Sequence, residues 1–267
     1  MSEKGVVQKR SPELGLLVVI GGPGGSGSST ISKMVTEKYG LTRYYAGGMF
    51  REIAKEEGHE DFRKFLEEVE QKKGKDYDLE VDNRLLRVSQ TPNIMIEAKA
   101  FGALATIKKI PCTIRIWITA DIDIRTRRVL SREGLLSYGD PVTENVKEGY
   151  EKAKFDILSR QEILGKRLNF LYGIEYGKQE LYNDLIIDSS NQTVEETFSL
   201  VCKEIEKMGE ETKKDVLITN DTKMEDLEVN WRRWKCLVCG YMYEGTDTTM
   251  KCPKCGNEDL SKFQDID

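Results

Sequence analysis

The chain has 267 residues, 39% of them hydrophobic and 33% charged, with a formal net charge of -5. That length suits one sizeable domain and a small appendage, and the acidic balance argues against a general nucleic-acid or anionic-membrane binder. No apolar run approaches the roughly 20 residues that span a bilayer. The opening MSEKGVVQKRSPELG lacks the apolar core of a secretory signal, so a cytoplasmic protein is expected.

Residues 1–13 read as a tail. From residue 14 to 208 strand-like and helix-like stretches alternate, which predicts an α/β unit with a parallel sheet covered on both faces. The first strand, Leu16–Ile20, runs into GGPGGSGSST, Gly21 to Thr30, and then a helix over Ser29–Tyr39. Gly22, Gly24, Gly25 and Gly27 allow the backbone to curl so that successive N–H groups face one concavity. With the helix N-terminus this forms an anion site that needs no side-chain charge. Ser29 holds the position whose hydroxyl meets Mg²⁺ in loops of the type G-x-x-x-x-G-K-[ST]. Ser28, however, stands where that pattern has lysine. A glycine-rich turn without a ligand is the bland alternative.

Further strands are expected over Leu41–Tyr45, Asn93–Glu97, Ile114–Thr119 and Asp184–Asp188. Amphipathic helices are expected over Met49–Glu57, Asp61–Lys72, Asp78–Val88, Ile124–Glu133 and Val146–Tyr172. A closing helix over Thr193–Met208 has Asn191 or Thr193 to cap its start and Gly209 after its end. Glu97 closes a central strand, where ligands gather in open parallel sheets. Arg125, Arg128 and Arg132 recur at spacings of three and four and share one helix face. Unaided, that pattern reads equally as a solvated basic stripe.

Residues 209–230 turn polar and read as a linker. The remaining 231–267 hold Cys236-x2-Cys239, twelve residues, then Cys252-x2-Cys255, a spacing suited to one tetrahedral tetrathiolate metal site. Too few aliphatic residues are present here to fold on core burial alone, and a metal would supply the missing staple. Six basic residues balance six acidic ones in this segment, so a nucleic-acid ribbon is not expected. The spacing alone leaves iron and zinc both open.

Several stretches, in order, resemble cytidylate kinases of the archaeal type. IGGPGGSGSSTISKMVTEKYGLTRYYAGGMFREIAKEEG is similar to their opening, where the loop reads G-P-P-G-S-G-T-T-T, with a hydroxyl residue in place of lysine. The likeness continues through YDLEVDNRLL with Asp78 and Asp82, NIMIEAKAFGALA, IRIWITADIDIRTRRVLSREG, SRQEILGKRLNFLYGIEY and YNDLIIDSS. It spans roughly residues 16 to 207. It implies a P-loop NTPase three-layer sandwich and an ATP- and Mg²⁺-dependent nucleoside monophosphate kinase, with CMP or dCMP as the favoured acceptor.

What the resemblance implies for the site is specific. Gly22, Gly24, Gly25, Gly27, Ser28, Ser29 and Thr30 would hold ATP, and Glu97 would orient Mg²⁺ through water. Arg51, Asp82, Lys99, Arg160 and Arg167 would bind the acceptor. Arg125, Arg128 and Arg132 would close over the transferring phosphoryl group. The tail WKCLVCGYMYEG…CPKCG resembles the rubredoxin-like domain of rubrerythrins, with Trp234, Tyr241 and Phe263 as a small aromatic core. That likeness tilts the metal toward iron and suggests a redox partner; a structural zinc ribbon stays open.

Three positions depart from the family. Lys99 replaces an arginine, keeping charge but losing the bidentate fork. Ala98 replaces a glycine, and Leu164 replaces an acidic residue that helps read the pyrimidine edge. Ser28, Lys99 and Leu164 motivate a second reading, a nucleotide-binding redox sensor or adaptor without turnover. His59, in EEGHED, reads as a solvent-facing residue; Cys112 and Cys202 read as small buried or near-surface thiols.

Overall fold

A computed structural model of the chain describes residues 10–61, 64–65, 74–214, 227–247 and 251–266. Its first unit is a five-stranded sheet of β1 (Leu17–Gly21), β2 (Thr42–Tyr45), β3 (Ile94–Glu97), β4 (Ile114–Thr119) and β5 (Leu185–Asp188). The strand order is β2-β3-β1-β4-β5, and every pairing is parallel. The helices are α1 (Ser28–Tyr39), α2 (Ala46–Glu56), α3 (Gly74–Val88), α4 (Phe101–Ile107), α5 (Ile122–Arg132), α6 (Glu144–Tyr172) and α7 (Val194–Lys214).

Strand β1 explains the layering. Its side chains alternate between faces, as a pleat requires: Leu17 and Val19 enter one core, with α2, α3, α4 and α6, while Val18 and Ile20 enter the other, with α1 and α7. All four are at most 1% exposed. A strand covered on both faces reads as an unbroken apolar run, which is how LLVVI looks in the sequence.

The strands fall within a residue or two of their expected bounds. The helix expected over Asp61–Lys72 lies largely outside the described residues, as do residues 1–9 of the tail and most of the linker. Three local expectations are corrected. Arg10, expected in a free tail, is 2% exposed because its guanidinium donates to the carbonyls of Gly15, Ser89, Leu14 and Thr91. Helix α7 continues through Gly209 to Lys214; Val201, Ile205 and Met208 pack in or against the second core, and that burial outweighs the roughly 1 kcal/mol a mid-helix glycine costs. Leu227 and Val229, from the stretch read as linker, are 4% and 1% exposed; both join the first core, and Val229 is hydrogen-bonded to Asn83 of α3. Thr193 does cap α7: its Oγ1 accepts from Glu196 N at 3.1 Å while Glu196 Oε2 accepts from Thr193 N at 2.8 Å.

The second unit is a three-stranded antiparallel sheet of β6 (Trp231–Cys236), β7 (Met242–Thr246) and β8 (Phe263–Asp265), in the order β7-β6-β8. Its aromatic core differs from the expectation. Trp234 is buried and donates from Nε1 to Gly245 O at 3.1 Å, but Tyr241 is 41% exposed. Tyr243 takes its place, edge-on to Phe263 with ring centroids 6.2 Å apart. The register decides this, because Tyr243 lies opposite Trp234 across the β6–β7 ladder, whereas Tyr241 follows Gly240 in the turn.

Candidate active site and metal centre

The carboxyl ends of β1, β2 and β3 meet at one edge: Ile20 and Tyr45 both pair in register with Glu97. Strand order reverses at β1, so a crevice opens there. It is a cleft of about 940 Å³, at the upper end of the range for small-molecule sites.

The glycine loop forms its floor. Gly25 has φ +82°, and a Cβ there would lie 2.6 Å from the carbonyl oxygen of Arg125, so only glycine fits. Gly27 is left-handed and starts α1 without a side-chain cap, which leaves the first N–H groups of the helix turned toward the cleft. Ser29 Oγ donates to Glu97 Oε1. Glu97 Oε2 accepts from Arg43 Nε at 2.9 Å and also from Arg43 Nη2. A hydroxyl beside a buried carboxylate is an oxygen-only donor pair that suits a hard divalent cation such as Mg²⁺. Arg43 holds that carboxylate from behind, and nothing in its sequence context singled it out.

The three arginines of α5 part company. Arg128 and Arg132 line the cleft. Arg128 donates to Ser26 O at 3.2 Å, Ser189 Oγ at 3.0 Å and Ser189 O at 2.8 Å. Ser189 in turn donates from Oγ to the loop at Ser26 O, 2.9 Å. Arg125 does not line the cleft; 5% exposed, it donates from Nε to Gly24 O at 2.8 Å, behind the loop. The shared face expected of these arginines is therefore split between loop support and the cleft.

Arg51, Lys99, Arg160 and Arg167 line the opposite side together with Asp78 and Asp82. Arg51 lies over the Tyr45 ring at 5.8 Å and donates to Gly47 O at 2.8 Å. Lys99 is open to the solvent that fills the cleft. Enclosure by the cleft walls, then the guanidiniums of Arg125, Arg160 and Arg167, push its ammonium below the ordinary lysine pKa. A cluster of this sign has use for an anion. Arg167 Nη2 donates to Asp78 Oδ1 at 3.1 Å, and Tyr172 Oη donates to Asp82 Oδ2 at 2.7 Å. Both carboxyls are 6% exposed. Burial raises Asp78 to about 6 despite Arg167; burial and then the charge of Asp78 raise Asp82 to about 7. Leu164, also lining the cleft, offers neither donor nor acceptor.

In the second unit the Sγ atoms of Cys236, Cys239, Cys252 and Cys255 all lie within 4.8 Å of one another. Cys236 and Cys255 are 3.8 Å apart and Cys239 and Cys252 3.6 Å. Four sulfurs about 2.3 Å from one tetrahedral ion would be separated by roughly 3.8 Å, and a disulfide needs about 2.05 Å. The thiols therefore fit a metal. Two like turns present them: Gly240 N donates to Cys236 O at 2.8 Å, Gly256 N to Cys252 O at 2.9 Å, and both glycines are left-handed. The donor set accepts iron or zinc alike.

A family model described as an AAA domain matches residues 20–141, and one described as the rubredoxin-like domain of rubrerythrin matches residues 234–263. The chain is 32% identical over 196 residues to the cytidylate kinase of Methanopyrus kandleri, covering 70% of this chain and 92% of that protein. With the cytidylate kinase of Pyrococcus horikoshii it shares 34% identity over 192 residues, 71% and 88% of the two chains. With that of Methanocaldococcus jannaschii it shares 31% over 193 residues, 72% and 99%. A crystal structure of an uncharacterized protein from Eubacterium ventriosum superposes with a TM-score of 0.50 at 18% identity, covering 72% of this chain and 98% of that one, a likeness of fold.

Proposed function

The chain belongs to the cytidylate kinase family, and from that premise we propose that it transfers the γ-phosphoryl group of ATP to a nucleoside monophosphate, CMP or dCMP before others. The observation that carries this reading is the two-sided cleft, with a backbone anion cradle on one wall and Arg51, Lys99, Arg160 and Arg167 on the other.

The phosphates of ATP lie along Gly22–Thr30, held by backbone N–H groups and the N-terminus of α1. Ser29 and Glu97 would hold Mg²⁺, which when bound neutralises charge on the β- and γ-phosphates. Arg51, Lys99, Arg160 and Arg167 bind and orient the acceptor phosphate. An acceptor oxygen attacks the γ-phosphorus in line; the bond to the β-bridging oxygen breaks, and its electron pair leaves with ADP. Charge spreads over the equatorial oxygens in the transition state, where Arg128 and Arg132 offset it. Arg128, already fixed by Ser189 and the loop, supplies the charge that Ser28 does not. Arg125 supports the loop from behind. Asp82 and Asp78 stand at the acceptor's base, Asp82 oriented by Tyr172.

In the tail, likeness to a rubrerythrin domain favours iron and an electron-transfer partner. Its balanced charge, from Arg232 and Lys254 on one side to Glu244 and Asp265 on the other, argues against nucleic acid. Ferric tetrathiolate is red and zinc tetrathiolate colourless, so the purified protein's spectrum separates the two metals.

The test is ADP release from ATP–Mg²⁺ by anaerobically purified protein, offered CMP, dCMP, UMP, AMP and GMP. Turnover highest with CMP or dCMP is expected. Preference for another base moves the specificity. ATP binding without turnover on any acceptor favours the second reading, a nucleotide-binding redox sensor or adaptor, which Ser28 and the rearward turn of Arg125 motivate.

A further inference from the structure

The tetracysteine unit rests on the kinase unit at a telling place. Helices α3 and α6 form the proposed acceptor wall, joined there by Asp78–Arg167 and Asp82–Tyr172. In each helix, the residue next to the Asp82–Tyr172 pair is bonded to the tail. Asn83 follows Asp82, and its side-chain amide exchanges two hydrogen bonds with the Val229 backbone: Val229 N donates to Oδ1 at 2.8 Å, and Nδ2 donates to Val229 O at 3.1 Å. Leu171 precedes Tyr172, and its carbonyl accepts from the hydroxyl of Thr246, which is 1% exposed at the end of β7. Trp231, at the start of β6, packs on Phe170 with ring centroids 5.3 Å apart. Lys108, just past α4, reaches Asp247 at 2.8 Å and Glu228 O at 3.2 Å.

From this bracketing we propose that the metal-bearing tail is a clamp that holds α3 against α6, so that metal retention and acceptor binding are linked. The inference rests on the reading of that wall as the acceptor site. Of the clamp's contacts, those of Trp231, Thr246 and Asp247 lie on or beside strands whose ladder is too small to persist without its metal, and Val229 leads directly into the first of them. Loss of the ion loosens the strands, the strands release Leu171 and Phe170, and Asp82 and Tyr172 lose the fixed separation that a bound base would meet. By linkage the effect runs both ways: whatever factor the metal contributes to acceptor affinity, the acceptor contributes to metal retention.

The experiment uses the full chain loaded with zinc. Binding of CMP and of ATP is measured by calorimetry before and after chelator stripping, and zinc release to a chromogenic chelator is timed with and without CMP. The expected result is CMP affinity about tenfold weaker in the stripped protein, ATP affinity changed less than twofold, and zinc release slowed by saturating CMP. Asn83→Ala leaves the tail and its cysteines intact; it should keep zinc yet reduce the protection by CMP to less than half. Equal CMP affinity in loaded and stripped protein, with release rates indifferent to CMP, overturns the clamp while leaving the kinase reading in place. CMP, UMP and AMP all failing to bind the loaded protein would overturn both. A stripped protein that loses ATP as well has unfolded globally, and that too defeats the clamp.

Discussion

Replacing Asp82 by asparagine removes a charge from one of the most enclosed positions in the cleft and keeps the side chain's shape, including an oxygen to accept from Tyr172. Asp82 titrates near 7 in the folded chain, raised first by burial and then by Asp78, against an ordinary 3.8. Between about pH 4 and pH 7 the folded chain therefore holds a proton that the unfolded chain has released. Wild-type stability falls as pH rises through that window and levels off above it. A shift of about 3 units at 1.4 kcal/mol each puts the whole penalty at about 4 kcal/mol. At pH 5 only the first third or so of it has been incurred. Urea unfolding of wild type and Asp82→Asn at pH 5 and pH 8 should thus show the variant's relative stability growing by roughly 2–3 kcal/mol across the interval. Comparing the two pH values cancels any fixed packing cost of the amide. A gap that stays constant, or an Asp82 carboxyl that titrates near 4 by NMR, would refute the argument that burial dominates over Tyr172 and Arg167. Paired with this gain we expect weaker CMP binding, because the amide removes an ionisable carboxyl, kept at a stability cost, from a position proposed to meet the base.

Other predictions follow from the same geometry. Gly25→Ala must place a Cβ against the Arg125 carbonyl at a φ of +82°; a cost of about 1–3 kcal/mol in stability and at least a tenfold loss of ATP affinity are expected, read by denaturation and calorimetry. Glu97→Gln should lower kcat by roughly a hundredfold or more and raise the Mg²⁺ concentration needed for half-maximal rate, whereas an unchanged Mg²⁺ profile would remove Glu97 from that role. Lys99→Arg, which restores the family's fork, should lower KM for the acceptor with little change in KM for ATP. Cys252→Ser should abolish stoichiometric metal and open residues 231–247 to proteolysis; full metal content in that variant would exclude a tetrathiolate site.

The half of the cleft proposed for ATP was legible as a shape because its signals are local. A glycine cluster after a doubly buried strand and an acidic strand end are each contained in a few consecutive residues, and parallel pairing of Ile20 with Glu97 then brings them to one edge. The cysteine spacing was legible for the same reason. What the sequence hid depends on partners far along the chain. Arg125, Arg128 and Arg132 share a periodicity, but only the packing of α5 against the loop decides that Arg125 turns to Gly24 O and Arg128 to Ser189. Arg43 is one polar residue in a short strand until Glu97, 54 positions on, is placed beside it. Tyr241 and Tyr243 are equally aromatic; the cross-strand register with Trp234 chooses between them. Leu227 and Val229 are two apolar residues in a polar stretch, and their burial depends on a core built from residues far earlier in the chain, which no local pattern announces.

The placement of β1 at the centre of the sheet has a consequence for how the protein comes apart. The glycine loop is anchored to the strand that pairs on both edges and is covered on both faces, so its root lies in the region whose amides exchange with solvent only on global opening. The opposite wall comes from α3 and α6, which share the first core with β1 but meet at the cleft through the Asp78–Arg167 and Asp82–Tyr172 bonds and lean on a segment near the C-terminus. Mild denaturant should therefore loosen the wall proposed for the monophosphate before the cradle proposed for the triphosphate, leaving an intermediate that still grips ATP with nothing to give it to.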